Sequence, residues 1–324
     1  MMRLRTFVLA LAAVAAAASA SAQTFPSRPV RFIVAAAPGG GGDLMARLLA
    51  EPLREDLGQP VFVDNRGGGN GIIGALEAAR AAADGHTVLL TAAALAIAPS
   101  VYAKLAFDPV RDLKPIAIVA SVPLVLVTRN DNPVNTVADL VSLAKREGDK
   151  VTFASFGNAT PSHLVGESMN QLAGLKMTHV PYKGSAAALT DVLGGLVTFG
   201  ILDAFSMTPQ VKGGRVKAIA VTGPRRFHAL PDRPTLVEAG IAFDPVGWHG
   251  IFAPAGVPPA IASRLNAAFV KAANRPEIRE RIVNGGSVPI EPPLSVEQWT
   301  ARFLQDVEQW GRVAKAARIS AEFQ

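Results

Sequence analysis

The segment VRFIVAAAPGGGGDLMARL, residues 30–48, reveals more of the architecture than any other part of the chain. An apolar, β-branched run leads into Pro38 and four glycines, and Asp43 then precedes apolar residues at helical spacing. This order predicts a strand, a tight loop and a helix. The first N–H groups of such a helix have no partner within it and carry partial positive charge, so they favour an anion. A helix start with Asp43 as its N-cap is an alternative that is compatible with an anion site.

The same pattern of strand, loop and helix recurs along the chain. Apolar strands are predicted at residues 60–65, 86–91, 151–154 and 199–203, and helical segments lie between most of the predicted strands. This alternation indicates parallel sheets with right-handed crossovers, which bind ligands at the carboxyl ends of their strands. The pattern breaks sharply at RNDNP, residues 129–133, where we expect the chain to change lobes.

We therefore expect an α/β fold of two lobes with a ligand cleft between them. Lobe 1 is predicted to be discontinuous, at residues 23–129 and 244–324, and lobe 2, at residues 130–243, is predicted to be inserted in it. The chain ends in a predicted helix with one apolar face, which we interpret as a packing surface. That face carries Trp299, Phe303, Val307 and Trp310.

Residues 1–22 have the tripartite pattern of a secretory signal peptide. Arg3 and Arg5 precede an apolar run, and Ala20-Ser21-Ala22 provides an A-x-A cleavage site. The apolar run is shorter than the ~20 residues that span a bilayer, so we expect cleavage after Ala22 and no membrane anchor. The chain contains no cysteine, which excludes disulfides and a lipid attached to cysteine. The predicted location is therefore the periplasm.

The composition and the spacing of polar residues argue against several classes of function. Basic residues are scattered and aromatic residues make up 6% of the chain, so nucleic acid is not an expected partner despite a net charge of +6. The five histidines lack the spacing of metal ligands, and neither a metal nor a cofactor is expected. Ser162 and His163 are adjacent on a predicted helix and would point apart. No catalytic residue is therefore predicted.

GNGIIG, residues 69–74, has the form of the dinucleotide fingerprint G-x-G-x-x-G between a strand and a helix. That fingerprint also requires an acidic residue near the end of the next strand. The next predicted strand ends in Thr91, Ala92 and Ala93, without a carboxylate. We therefore interpret residues 69–74 as a second glycine-rich turn with a structural role.

Two places in the second half of the chain are further candidates for ligand contact. SFGNAT, residues 155–160, is a predicted strand-to-helix loop rich in hydroxyl and small groups, and thus a second candidate anion site. Asp203 ends a predicted strand, where it would either cap the next helix or accept a hydrogen bond from a ligand amine or hydroxyl. Both roles of Asp203 are left open by the sequence. The loop at residues 181–185 is a third of this kind, and its Lys183 either adds charge or is solvated.

Eight stretches are individually of moderate specificity, but their order and spacing together are highly specific. They are PSRPVRFIVAAAPGGGGDLMARLLAEPL, LGQPVFVDNRGGGNGIIG, DGHTVLL, FDPVRDLKPIA, SFGNATPSHLVGE, HVPYKGSAAALTDVLGG, LPDRPTLVEAG and WHGIFAPAGVP. In these stretches the chain resembles the substrate-binding proteins of tripartite tricarboxylate transporters, the Bug or TctC-like family. The resemblance covers nearly the whole chain that follows the predicted signal peptide.

The resemblance implies a two-lobe fold like that of periplasmic binding proteins of type II, which closes on a small carboxylate. Family ligands include di- and tricarboxylates, acidic amino acids and aromatic acids, and the implied partners are integral-membrane transporter subunits. A monomer is expected. The family's ligand-contacting loops and acidic residue fall on Pro38, Gly39, Gly40, Gly41, Asp43, Ser155, Gly157, Asn158, Ala159, Thr160 and Asp203.

Three positions depart from the family pattern. Ala35 and Ala36 stand where a Pro-aromatic pair is common, Ala159 stands where a glycine is common, and His86 replaces the usual tyrosine. These differences leave the class of protein intact but bear on which ligand fits. The expected function is capture of a small organic carboxylate for a tripartite transporter. The alternatives are a receptor that presents its closed form to a sensor kinase and, with less support, an exported enzyme on the same scaffold.

Overall fold

The computed structural model describes residues 25–320 of the chain. The predicted signal peptide at residues 1–22 and its cleavage site lie outside the described residues. The described residues form two mixed β-sheets with helices packed against them. None of the described helices combines the length and the apolar character that crossing a membrane requires.

The first sheet has six strands. They are β1 (Val30–Val34), β2 (Val61–Asn65), β3 (Thr87–Ala92), β4 (Leu113–Val122), β10 (Gly247–Pro254) and β11 (Val288–Pro289). Their order across the sheet is β11-β4-β10-β3-β1-β2. β1 pairs in parallel with β2 and β3, as the alternation of strands and helices predicts. β10 pairs antiparallel with β3 and β4, so the sheet as a whole is mixed.

The second sheet has five strands. They are β5 (Leu124–Thr128), β6 (Thr152–Ser155), β7 (Thr178–Pro181), β8 (Phe199–Asp203) and β9 (Lys217–Val221). Their order is β7-β6-β8-β5-β9. β6 pairs in parallel with β7 and β8, whereas β5 pairs antiparallel with β8 and β9. The parallel strands direct their carboxyl ends, and hence residues 155–160 and Asp203, to one edge.

The chain passes from the first sheet to the second at Pro123, between β4 and β5. β5 is buried throughout and pairs only with strands of the second sheet. The change of sheet therefore lies at Pro123, ahead of the lobe boundary that we expect between residues 129 and 130. Proline has no N–H with which to continue a strand pairing, whereas RNDNP merely ends β5. Below, lobe 1 denotes the first sheet with its helices, and lobe 2 the second sheet with its helices.

Helices cover both sheets. Those of lobe 1 are α1 (Gly41–Leu57), α2 (Ile72–Ala79), α3 (Ala94–Val101), α8 (Pro259–Ala273), α9 (Pro276–Asn284) and α10 (Val296–Ala316). Those of lobe 2 are α4 (Val137–Glu147), α5 (Pro161–Ala173), α6 (Ser185–Gly194) and α7 (Ala204–Lys212). α3 and the two-residue strand β11 are elements that the sequence pattern does not predict.

The first sheet is buried on both faces. Phe32 and Val34 of β1 join one apolar cluster and Ile33 joins another, because successive side chains of a strand point to opposite faces. This arrangement accounts for the continuous apolar run of β1, which is typical of a strand covered on both sides. The face of β1 that carries Phe32 and Val34 is the face covered by α1, since residues of α1 belong to the same apolar cluster.

The apolar face of α10 packs against β10, as its spacing predicts. Trp299, Phe303 and Trp310 are each at most 1% exposed. The rings of Trp299 and Trp248 meet edge to face with centroids 5.1 Å apart. β10 enters lobe 1 after lobe 2 is complete, so this aromatic contact stabilises the return of the chain to the first sheet.

Candidate functional site

The loop after β1 is shaped by Asp43, which lies in the first turn of α1 and is not its N-cap. The N-cap is Gly40, which has no side chain to cap the helix. Asp43 Oδ2 accepts a hydrogen bond from the Gly39 N–H at 2.9 Å, and Arg47 Nε lies 3.0 Å from Oδ1. Burial opposes ionisation of this carboxyl, but Arg47, the Gly39 N–H and Asn65 outweigh it and keep its pKa below the ordinary value.

The N-terminus of α1 is thus left without a protein cap. Its first N–H groups, at Gly41, Gly42 and Asp43, have no acceptor within the helix, and the helix dipole concentrates positive charge there. Asp43 uses its carboxylate on the preceding loop at Gly39 and does not fill this position. The arrangement is suited to an external anion.

The loop at residues 155–160 uses its own hydroxyl groups to hold its shape. Thr160 is the N-cap of α5; its hydroxyl donates to Gly157 O at 2.7 Å and accepts from the His163 N–H at 3.4 Å. The Ser155 hydroxyl accepts from the Gly157 N–H at 3.2 Å. Ser162, which follows in α5, donates its hydroxyl to the Ile201 carbonyl. Ligand contact at this loop would therefore depend on backbone N–H groups more than on hydroxyls.

Two stacked histidines support this loop, and the sequence contains no local signal for them. The rings of His163 and His179 are nearly parallel with centroids 3.8 Å apart. His163 Nδ1 accepts a hydrogen bond from the Ala159 N–H at 3.0 Å, and His179 Nε2 lies 2.6 Å from Ser155 Oγ. Burial lowers the pKa of His163 to about 4; burial, with the neighbouring His163, lowers that of His179 to about 3. Both rings are therefore neutral near pH 7.

Asp203 caps α7 and also faces lobe 1. Its Oδ1 accepts from the Ser206 N–H at 2.9 Å, and its Oδ2 accepts from the hydroxyls of Ser185 and Ser206 at 2.6 Å each. A Cβ added to Gly41 would lie 2.3 Å from Asp203 Oδ1, so the backbone of α1 approaches this carboxylate closely. The structure thus brings together two predicted site residues from opposite lobes. The capping role of Asp203 is shown directly.

His249 of β10 lies in the same region and was not predicted. Burial lowers its pKa to about 4, while the nearby Asp203 charge acts in the opposite direction. Its Nδ1 has no hydrogen-bond partner among residues 25–320. The groups of lobe 1 that lie next to Asp203 are therefore the N-terminus of α1 and the neutral imidazole of His249.

The lobes meet at these loops, where Asp203 approaches Gly41 and the Asn70 amide reaches the Asn158 carbonyl. The two surface cavities with volumes of about 310 and 300 Å³ lie elsewhere, the first beside Phe107 and Arg111 and the second beside Arg129 and Thr198. Within residues 25–320, no group of three or more His, Cys, Asp or Glu side chains is arranged to hold a metal ion. The chemistry available between the lobes is that of polar backbone groups and one anchored carboxylate.

Comparison with known proteins agrees with this arrangement. A family model described as the tripartite tricarboxylate transporter family receptor, TctC, matches residues 45–319. A structure of the periplasmic binding protein BugD is 35% identical, with a TM-score of 0.86, and the match covers 92% of this chain and 100% of that one.

Two further structures were solved with ligands. The Rpa4515 protein of R. palustris with adipate is 30% identical with a TM-score of 0.87, and the match covers 91% of this chain and 99% of that one. MatC of Rhodopseudomonas palustris with bound malate is 30% identical with a TM-score of 0.82, and the match covers 89% of this chain and 99% of that one. The two-lobe periplasmic-binding-protein fold is thereby confirmed. The chain belongs to the TctC family of periplasmic solute-binding proteins, the receptors of tripartite tricarboxylate transporters, which is a family of binding proteins and not of enzymes.

Proposed function

We propose that this protein captures a small dicarboxylate between its lobes and delivers it to the integral-membrane subunits of a tripartite transporter. The observation that carries the proposal is the uncapped N-terminus of α1, which faces lobe 2 next to Asp203. Such a terminus favours an anion. Relatives of the same fold that hold adipate and malate support the dicarboxylate class.

In this binding mode each lobe contributes one set of backbone donors. One ligand carboxylate accepts from the first N–H groups of α1, and the other accepts from N–H groups of the loop at residues 155–160. Each helix terminus contributes on the order of 0.3–1 kcal/mol, and more where water is excluded. A complete site would reach a Kd near ~1 μM, or about −8 kcal/mol. The proposed contacts are Pro38, Gly39, Gly40, Gly41, Asp43, Ser155, Gly157, Asn158, Ala159, Thr160 and Asp203.

Within this set the contacts differ in role. Asp43 acts by shaping the first loop, since its Oδ2 is bound to the Gly39 N–H. Ser155 and Thr160 likewise act through their own loop. Asp203 retains an oxygen, Oδ1, that faces lobe 1 and can accept a hydrogen bond from a ligand hydroxyl or ammonium group. Asp203 would therefore distinguish a hydroxy acid such as malate from a plain diacid such as adipate.

The proposal is tested by thermal shift and calorimetry with the purified protein. The panel contains malate, succinate and adipate, with acetate and a neutral sugar as controls. A ligand at 100 times its Kd adds about 2.7 kcal/mol of stability, which raises the melting temperature measurably. Unfolding and refolding the protein first removes any ligand carried through purification. A refolded protein that responds to no dicarboxylate, or equally to acetate, contradicts the proposed ligand class.

We also infer that the protein is exported with cleavage after Ala22, that it is a monomer and that it hands its ligand to a membrane transporter. N-terminal sequencing of the exported protein and its mass by light scattering test the first two inferences. Capture from membranes with and without malate, followed by mass spectrometry, tests the third. Recovery of a sensor kinase in place of transporter subunits would contradict it.

A further inference from the structure

The glycine-rich turn before α2 projects one side chain toward lobe 2. Asn70 has φ 57°, and its neighbours Gly68, Gly69 and Gly71 also have positive φ, at 114°, 53° and 88°. Asparagine is one of the few residues other than glycine that adopts this conformation readily. Four consecutive residues in positive φ, Gly68 to Gly71, thus form the turn that carries Asn70.

The amide of Asn70 bridges the two lobes. Its Nδ2 donates to Tyr102 Oη in lobe 1 at 2.9 Å and also to the Asn158 carbonyl in lobe 2, 88 residues further along the chain. Its Oδ1 lies against Gly157, where an added Cβ would be 2.4 Å away. Gly157 has φ 151°, so both its conformation and this contact require glycine.

The Asn158 carbonyl belongs to the same peptide unit as the Ala159 N–H. A trans peptide directs its C=O and N–H in opposite directions. Asn70 therefore holds this unit from lobe 1, while His163 Nδ1 holds it from lobe 2 at 3.0 Å. One of the two bonds that hold this peptide therefore crosses between the lobes.

We propose that Asn70 is a positioning residue that latches the closed lobes by holding the peptide between Asn158 and Ala159. The turn at residues 69–74 then has a role in closure as well as in the structure of lobe 1. Both partners of the latch are groups of the protein, so the contact lowers the free energy of the closed arrangement independently of any ligand. Its effect on ligand affinity rests on the proposed function, whereas its effect on ligand-free closure does not.

Asn70→Asp is the informative variant because it preserves size and tolerance of positive φ. It replaces the Nδ2 donor by a carboxylate oxygen that repels the Asn158 carbonyl. Asn274→Asp is the matched control, since it makes the same change at the C-terminal end of α8, where the Asn274 amide donates to Val270 O in its own helix. Gly157→Ala is a second variant that obstructs the contact from lobe 2.

The readout is the distance between the lobes, measured by double electron–electron resonance without ligand. The chain has no cysteine, so Phe62→Cys in β2 and Ala187→Cys in α6, both at exposed positions, provide unique spin-label sites. Loss of one hydrogen bond is expected to lower the ratio of closed to open molecules roughly 3- to 10-fold in N70D and at least as much in G157A. N274D is expected to match the unsubstituted protein.

An unchanged ratio in N70D, or an unsubstituted protein with no closed population, overturns the proposal. Calorimetry with malate on the same variants is expected to show a 3- to 10-fold higher Kd for N70D than for N274D. If neither malate, succinate nor adipate binds any of the proteins, the proposed ligand class fails, and the ligand-free distances still decide whether Asn70 is a latch.

Discussion

Replacing Gly41 by alanine tests whether the N-terminus of α1 and Asp203 must meet for the lobes to close on a ligand. Gly41 is the first residue of α1 and its φ is not positive, so alanine fits its backbone. The added Cβ would lie 2.3 Å from Asp203 Oδ1 and 2.9 Å from Asp203 Cγ. Closure in G41A therefore requires Asp203 to move by about an ångström or the lobes to remain apart.

Asp203 cannot move without losing hydrogen bonds. Ser206 and Ser185 hold its two oxygens through three bonds of 2.6–2.9 Å. A hydrogen bond to a charged group contributes about 1.5–3 kcal/mol, so breaking two of them costs about 3–6 kcal/mol. Since 1.4 kcal/mol corresponds to a factor of ten, G41A should bind a dicarboxylate at least about 100-fold more weakly.

Gly42→Ala is the matched control in the same helical turn. Its Cβ would lie 3.4 Å from Leu90 Cδ2 and 3.5 Å from Ala36 Cβ, which are ordinary contacts. Titration calorimetry with malate should therefore give G42A a Kd close to that of the unsubstituted protein. Both variants should melt, without ligand, at or above the unsubstituted temperature, because alanine favours the helix. Malate affinities within threefold of each other for G41A and G42A would refute the reasoning.

Three further predictions concern the residues around the loops. Asp203→Asn keeps the α7 cap but offers the ligand hydroxyl a neutral oxygen in place of a charged one, so calorimetry should show a roughly tenfold loss of malate affinity with little change for adipate; equal losses would argue against selection by Asp203. Burial holds the pKa of His163 near 4, below its ordinary 6.5, so its contribution to stability is present at neutral pH and is lost as pH falls through this window. Linkage assigns to His163 a loss of about 2 kcal/mol between pH 7 and 5 in urea unfolding, in addition to the losses from His179 and His249, and His163→Asn should lose correspondingly less, whereas an unchanged pH dependence would contradict this assignment. Asp43→Ala should lower the free energy of unfolding by about 1–3 kcal/mol, because the Gly39 N–H loses its acceptor. Arg47→Ala should lower it by less than about 1 kcal/mol, because the Arg47 side chain is 57% exposed. Similar losses in these two variants would show that the ion pair, and not the loop bond, carries the effect.

Much of the fold could be predicted because its signals are local. Residues 30–48 contain the strand, the loop and the helix start in one segment, and β1 to β3 form the expected parallel set. The apolar face of α10 was predicted from its spacing and is buried. The family, too, was predicted from the order of short motifs, and the family model confirms it. Such features depend on residues that are neighbours in the chain.

The sheet to which β5 belongs could not be predicted in this way. Four of its five residues are apolar and all five are buried, much as in β4, and nothing within them specifies a partner strand. The boundary was predicted at RNDNP, residues 129–133, because the strand and helix pattern breaks there, although the change of sheet occurs at Pro123. Strand pairing is decided by long-range packing, which periodicity within one strand does not encode.

The sequence by itself determined that β1 leads through a glycine-rich loop into α1, because the strand, the loop and the helix start lie in one segment, but it left Asp43 open as the cap, whereas the structure assigns the cap to Gly40. Only the tertiary structure decided what lies opposite that helix terminus. Asp203, His249 and Asn70 come from distant parts of the chain, and no spacing between them indicates contact. Approach of the two lobes brings them to the loops, because Asp203 at the end of β8 meets the start of α1 and His249 near the start of β10, and Asn70 meets the loop at residues 155–160.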